Sequence, residues 1–415
     1  MGTCARRHVR WAYTPTCLHA YPPVIYLDHA ATTPLDPAVL EAMRPFLTER
    51  FGNPSSLHTA GRAARVALEE ARGRVADVLG CTPAEVVFTS GGTEADNAAL
   101  RGPLTGDARA ATGRGGLVTS LAEHEAVLRT AEGLRDEGHE VTFLAPGPHG
   151  AVTEAQVREA LTPETGLVSV MLVNNEVGTV SPVAAIAEAA HAAGALVHTD
   201  AVQAAGLLPL DVDRLGVDLL SLSAHKVRGP KGFGALYVRT GTPFSPLVRG
   251  GAQERRRRGG TENVAAAVGF AEALTRAEAA REATAARLTA LRDRLAARIH
   301  AAFGMAVRFN TPLEGFSPTS APTAPHILSV SFPPGPAGPL DGEMLLLGLD
   351  LAGVCASAGS ACTSGALEPS HVLLAMAVPR DIAAATLRFS LGTETTAADV
   401  DAAADALEMV VERLG

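Results

Sequence analysis

The chain has 415 residues, more than one compact core usually serves, so a large domain with a smaller companion is expected. Hydrophobic residues make up 47% and charged residues 19%, and no apolar run approaches the roughly 20 residues that span a bilayer. Disorder, a collagen-like fibre and a membrane-spanning protein are thereby excluded. A formal charge of −9 speaks against nucleic-acid or anionic-membrane binding, and the five cysteines (Cys4, Cys17, Cys81, Cys355, Cys362) are too few and scattered for a disulfide framework. A soluble protein of the reducing cytoplasm is expected.

In chain order, residues 1–23 stand apart: they hold the only tryptophan, Trp11, basic groups at Arg6, Arg7, His8 and Arg10, and no acid. They lack the apolar core of a secretory signal and read as a poorly ordered extension. From Val24, short β-branched runs alternate with amphipathic helical patterns. The predicted strands are Val86–Thr89, Leu117–Ser120, Val141–Leu144, Leu167–Val173, Leu196–Thr199, Leu219–Leu222 and Ala235–Val238. Helices are predicted between them, as at Glu123–Glu137, Glu154–Leu161 and Pro182–Ala193. That alternation means parallel crossovers and a sheet covered on both faces, with ligands at the carboxyl ends of its strands. A large domain is expected over residues 24–262. A helical stretch from Glu262 to Phe303 then leads out of it, followed by a proline-rich connector, Pro312–Pro325. The strand Ile327–Phe332, a Pro/Gly loop, a helix from Leu340, the strand Leu387–Leu391 and the helix Ala397–Leu414 complete a small α+β domain within residues 263–415. The fold class is α/β, a mostly parallel sheet covered by helices plus this small C-terminal domain.

The 35 basic residues comprise 33 arginines and only two lysines, Lys226 and Lys231. A lysine kept in so arginine-rich a chain points to chemistry that guanidinium cannot perform, above all a Schiff base. Lys226 ends an apolar strand beside Ser223 and His225, where a nucleophilic lysine fits better than a solvated one. Lys231 sits in a Gly-Pro-Lys-Gly turn. The run from Thr89 to Ala95 follows a strand and opens a helix. Its glycines and Thr93 make a phosphate cradle, or else a tight turn with Thr93 as the helix cap. Asp200 lies just past a buried strand, where a carboxylate calls for a cationic partner such as a protonated pyridine nitrogen, or acts as a cap.

Together these segments resemble the cysteine desulfurases of aminotransferase class V, fold-type I enzymes that use pyridoxal phosphate. The resemblance rests on the runs Tyr26–Thr33, Phe51–Ser56, Thr89–Ala95, Glu123–His124, Val173–Gly178, Asp200–Gln203, Ser223–Lys226, Gly259–Thr261, Ser357–Ser364 and Leu387–Gly392. It extends from about Val24 to the C-terminus. It implies that Lys226 forms the Schiff base, Asp200 holds the pyridine nitrogen, and Gln203 bonds the ring hydroxyl. His124 stacks on the ring and assists proton transfer. Gly92, Thr93, Ser223 and His225 hold the phosphate, joined by Thr261 from the second subunit of a homodimer. Asn175 and Arg388 bind the substrate carboxylate.

A lone cysteine is more often an inert buried thiol, but Cys362 sits among Gly, Ser, Ala and Thr, as on a mobile, partly exposed loop. The resemblance, which is to group I members here, makes it the nucleophile. L-Cysteine would give L-alanine and a Cys362 persulfide for iron–sulfur cluster assembly or tRNA thiolation. The acceptor is then an iron–sulfur scaffold protein or a tRNA-thiolating enzyme. No resident metal is expected, transient cluster ligation at Cys362 being left open. Two other readings use the same residues: a selenocysteine lyase or other class V lyase or aminotransferase with Cys362 incidental, and a non-catalytic sulfur relay. Departures from the family are Ala224 where glycine is common and the basic run Arg255–Arg258, which reads as a solvated loop, an interface or a phosphate support. The C-terminal extension by which some members engage the scaffold has no counterpart after Gly415, which leaves the acceptor open.

Overall fold

The structure is a computed structural model and describes residues 24–316, 321–336, 338–358 and 368–414. Its strands are β1 (Ile25–Tyr26), β2 (Val86–Thr89), β3 (Gly116–Ser120), β4 (Val141–Leu144), β5 (Thr165–Ser169), β6 (Leu196–Asp200), β7 (Leu219–Ser223), β8 (Gly234–Val238), β9 (Arg308–Phe309), β10 (Ile327–Ser331), β11 (Val354–Cys355) and β12 (Thr386–Ser390). Seven of them form one sheet in the order β2-β8-β7-β6-β5-β3-β4. Neighbours from β7 to β4 run parallel, each reached by a helical crossover. β8 departs from the parallel order predicted for this run and lies antiparallel to both β7 and β2. The reason is chain length: the link from Ser223 to Gly234 carries the single 3-10 turn that ends at Lys226 and no α-helix, and a parallel crossover needs a dozen or more residues.

Strands β2, β3, β5, β7 and β8 are buried at every residue, so both faces of the sheet are covered. Val118, Val168, Val197 and Leu220 pack on one face. Leu117, Leu167, Leu219 and Leu236 pack on the other, the period-two alternation of a strand. Strand β5 is regular only to Ser169, short of the predicted Val173, although Val170 and Leu172 still bond the His198 and Asp200 carbonyls beyond it, and Asn175 reaches the cavity at its end.

A second core gathers Leu27, Leu288, Leu295, Leu328, Phe389 and Leu407 around the antiparallel sheet β12-β10-β9. The first described segment belongs here too, since β1 pairs with β11 and Leu27 is fully buried in this cluster. The predicted helical stretch Glu262–Phe303 is two helices, Val264–Ala279 and Arg281–Phe303, broken at Ala280. The first packs Phe270 and Leu274 into the sheet's core and the second packs Leu288 and Leu295 into the smaller one. The break thus carries the chain between cores.

Candidate active site

A cavity of about 540 Å³ opens at the carboxyl ends of β2, β3, β5, β6 and β7. That is where an open α/β sheet places its ligands. Gly92, Thr93, His124, Asn175, Asp200, Gln203, Ser223, His225, Lys226 and Arg388 all line it. Thr261 does not; it lies beside Thr89, Ser90 and Arg258 in a separate cavity of about 220 Å³. Cys362 lies outside the described residues. The nearest cavity-lining residues on either side of its segment are Ser357 and His371.

The glycine turn is built for close approach. A side chain at Gly92 would press on Val202 at 3.1 Å and reach towards Ser223 Oγ, so the space in front of this helix end is kept by having none. The helix Gly92–Leu104 starts without a side-chain cap bond, which removes the reading of Thr93 as its cap; Thr93 is the second helical residue and faces the cavity. Free N–H groups and a helix dipole at this end favour an anion. Behind the turn, Glu94 takes the Ser90 N–H at 2.9 Å and the Arg258 guanidinium at 2.9 Å. Burial pulls the Glu94 carboxyl up, but Arg258 and Ser90 bring it below its ordinary value. Arg255 and Arg257 of the same run are also tied down, while Arg255 and Arg256 stay exposed. Arg255 bonds to Glu69, Arg257 to the Ala84 carbonyl, and Glu254 beside them forms a buried bidentate pair with Arg72. Glu254, Arg255 and Arg256 adopt φ of 45°, 54° and 65°, a strained turn that these bonds hold in place.

Lys226 ends a short turn after β7, and its Nζ donates to the carbonyls of Ala30 and, at 2.9 Å, Ala31. Burial, then the nearby Arg388, push its pKa down to about 8, while Asp200 and Asp28 pull the other way. The amine is therefore neutral in a useful fraction near physiological pH. His225 bonds Thr32 through Nδ1 at 3.0 Å, and burial with the two lysines pushes it down to about 4, so it enters the site neutral. His124 caps the helix Glu125–Asp136, Nδ1 accepting from Ala126 at 3.1 Å, which leaves the proton of the neutral ring on Nε2.

Asp200 takes the Val202 N–H at 2.8 Å, and burial raises its pKa although His124, Val202 and Lys226 oppose this. Beneath it lie two acids to which the sequence assigned no role: Asp96, and Glu123 of the Glu123–His124 run. Both are buried and held well above their ordinary pKa, by burial first and then by the charge on Asp200. Burial disfavours a charge on all three carboxyls, and a charge on Asp200 raises the pKa of the other two further. His198 bridges Ser169 and Ser221 at 2.9 Å on each side, and burial pushes it down to about 3.

Arg388 is buried, with Nη1 on the Asn175 carbonyl and Nη2 on Asp28, both at 2.9 Å. Of the two asparagines, Asn174 is structural, capping its own turn through the N–H groups of Glu176 and Val177. Asn175 is the one that lines the cavity. The structure also explains the run from Tyr26 to Thr33. Asp28 faces Arg388, Ala30 and Ala31 hold Lys226, Thr32 holds His225, and Thr33 braces the lysine turn through the His225 carbonyl and Arg228 N–H. The small and polar residues from Asp28 to Thr33 are the signal in the sequence for that role.

Pyridoxal phosphate fits these residues. The cavity has an anion-binding end kept open at Gly92, a buried amine at Lys226 to meet an aldehyde, and a buried carboxylate at Asp200 for a ring cation.

The aminotransferase class-V family matches residues 25–403. A cysteine desulfurase named IscS from Dictyoglomus turgidum (strain DSM 6724 / Z-1310) is 44% identical, covering 94% of this chain and 95% of that one. A cysteine desulfurase from Cereibacter sphaeroides is 46% identical over 94% of this chain and 96% of its own. Among solved structures, a NifS-like protein superposes with a TM-score of 0.84 at 36% identity, covering 94% of this chain and 100% of that one. Matched over nearly its whole length, the chain belongs to the aminotransferase class-V family and, within it, to the cysteine desulfurases.

Proposed function

We propose that the protein takes sulfur from L-cysteine with bound pyridoxal phosphate, releases L-alanine and keeps the sulfur as a persulfide on Cys362. The observation that carries this reading is one cavity that joins a neutral-capable Lys226, the buried carboxyl of Asp200 and the guanidinium of Arg388, with the Cys362 segment entered and left at cavity residues. Gly92, Thr93, Ser223 and His225 of one protomer, with Thr261 of a second, hold the phosphate. Asp200 holds the ring nitrogen, Gln203 the ring oxygen, and His124 the ring face. When bound, the cofactor supplies an electron sink beside the substrate's α-carbon.

The chain's own residues do the rest. Arg388 gives up part of its contact with Asp28 to receive the substrate carboxylate, with Asn175 beside it. The neutral Lys226 amine takes the α-proton and holds it at Nζ. The Cys362 thiolate attacks the substrate sulfur: an S–S bond forms with the thiolate's electron pair, and the C–S bond breaks with its pair left on carbon. A proton delivered from the His124 side, the one given up by the Cys362 thiol, completes the alanine methyl group, and Lys226 returns the held proton from Nζ to the α-carbon. Residues 24–262 supply the cofactor site and residues 263–415 bring the nucleophile.

Homodimer formation is supported by Leu47, Phe51, Leu57 and Val66, large apolar side chains exposed by 56 to 89% on successive elements near the chain's start, and by Thr261 lying away from its own protomer's cavity. We assign the persulfide to a protein acceptor in the cytoplasm, an iron–sulfur scaffold or a tRNA-thiolating enzyme. The test is alanine release from L-cysteine by wild type, Lys226→Ala and Cys362→Ser after cofactor loading. Lys226→Ala should lose both the cofactor's visible absorbance and turnover, and Cys362→Ser should keep the absorbance and lose turnover. A fully active Cys362→Ser would hand the site to a lyase reading.

A further inference from the structure

Gln203 stands in a partition between two spaces. On one side is the cofactor cavity; on the other is a smaller cavity of about 260 Å³, and Gln203, Val202 and Lys226 line both. A side chain in such a wall can swing or flip its amide unless both ends are held. Its Nε2 donates to the Ala30 carbonyl at 2.9 Å, and that carbonyl can only accept. The amide is thereby oriented, and Oε1 faces Nε2 of His326 at 3.4 Å.

His326 is 4% exposed and sits just before β10, its carbonyl tied to the Leu391 N–H at 2.8 Å. Because Gln203 Oε1 can only accept, the ring proton of His326 must be on Nε2. The opposite nitrogen, Nδ1, is buried with no partner, as a bare lone pair would be and a protonated nitrogen could not afford to be. Burial, then His29 and the nearby cations, push the ring down to about 3, so it stays neutral at every pH at which the enzyme works. The groups that face it are Lys226, Arg388, Arg292 and His29, and they all oppose a second proton.

We infer that His326 is a positioning residue: its Nε2–H holds the Gln203 amide so that the second N–H of that amide is kept for the cofactor's ring oxygen. This rests on Gln203 meeting that oxygen, as proposed above. Without the histidine, Gln203 is free to rotate into the smaller cavity or to flip and present its carbonyl, which would repel the ring oxygen. No other described residue is recorded bonding to Oε1, so nothing else takes over the task.

The test compares wild type with His326→Phe and His326→Leu, which remove the N–H with and without the ring's bulk, and His326→Gln, which restores an N–H on a flexible arm. Each is loaded with pyridoxal phosphate, and cofactor affinity and the pH midpoint of the bound cofactor's visible absorbance are read. Melting curves are followed alongside. Donation to the ring oxygen weakens its hold on the neighbouring imine proton, so its loss raises the midpoint. The two apolar variants should shift the midpoint up by about half to one unit and weaken cofactor binding by about 3- to 10-fold, the worth of one hydrogen bond. His326→Gln should restore both, and none of the changes should appear in a Gln203→Leu background. An unshifted midpoint in the folded apolar variants overturns the inference. So does a shift that persists in full on Gln203→Leu. A wild type that develops no cofactor absorbance overturns the reading of the site itself, and the inference falls with it.

Discussion

Lys226 is set apart by what surrounds its amine. Two backbone carbonyls hold it, burial and Arg388 lower its pKa to about 8, and Asp200 and Asp28 keep it from falling further. An ordinary lysine near 10.4 offers very little neutral amine at pH 7. The charged amine cannot attack an aldehyde, so capture of added pyridoxal phosphate by the cofactor-free protein should speed up about tenfold per pH unit below 8 and level off above it. Stopped-flow absorbance would read this directly, and a rate still climbing at pH 9.5 would mean the amine is not depressed. The same scale explains why the acids beneath the site escaped notice. Asp96 stands in no motif and Glu123 only beside His124 in one; the fold alone brings both near Asp200, where burial and its charge raise their pKa.

Among the elements, the bracing of β2 and its glycine turn decides whether the phosphate end keeps its shape. Arg72 crosses from the helix Thr59–Leu79 to Glu254, with Nη2–Oε1 at 2.8 Å, and Glu254 also receives the Phe88 N–H at 3.1 Å. Arg72 is 1% exposed, so removing Glu254 leaves its buried charge with only the longer contact to Glu69 at 3.4 Å and the Val86 carbonyl. Glu254→Ala should therefore cost about 3–5 kcal/mol in urea unfolding. The strained turn at residues 254–256 should relax with it, and cofactor affinity should fall because Arg258 loses its approach to Glu94. A loss below about 1 kcal/mol would place the turn's support elsewhere. Strand β8 is a companion case. A side chain at Gly234 would meet the Leu222 carbonyl at 2.5 Å and Gly91 at 2.8 Å, so this glycine is what lets β8 close against the lysine strand and the phosphate turn.

For the whole molecule, the question is which residues one protomer can supply. Ten of the predicted site residues line a single cavity, and Thr261 is elsewhere. If Thr261 serves the other subunit, Lys226→Ala on one chain and Thr261→Ala on the other fall in the same site of the mixed dimer and leave its second site untouched. Unfolded together and refolded, they should regain tight cofactor binding that neither pure variant has, since the hybrid holds one intact site. Refolded mixtures that bind no better than the average of the two pure proteins would place Thr261 in its own protomer's site or outside both.

What the sequence determined by itself was the class of fold and the chemistry of the site. Alternation of β-branched runs with amphipathic stretches marks a covered parallel sheet, and chemistry-bearing residues cluster just after its strands, where such sheets bind ligands. Two lysines among 33 arginines singled out Lys226 before any geometry was known. What only the tertiary structure decided depends on contacts between distant segments. The reversal of β8 follows from a link too short for a crossover, and the break at Ala280 from the need to serve two cores. The grip of residues 28–33 on Lys226, His225 and Arg388 joins segments some 190 to 360 positions apart. Burial and charge at Asp96, Glu123 and His326 likewise arise only once the chain has closed around them, because a pKa shift is a property of neighbours rather than of order along the chain.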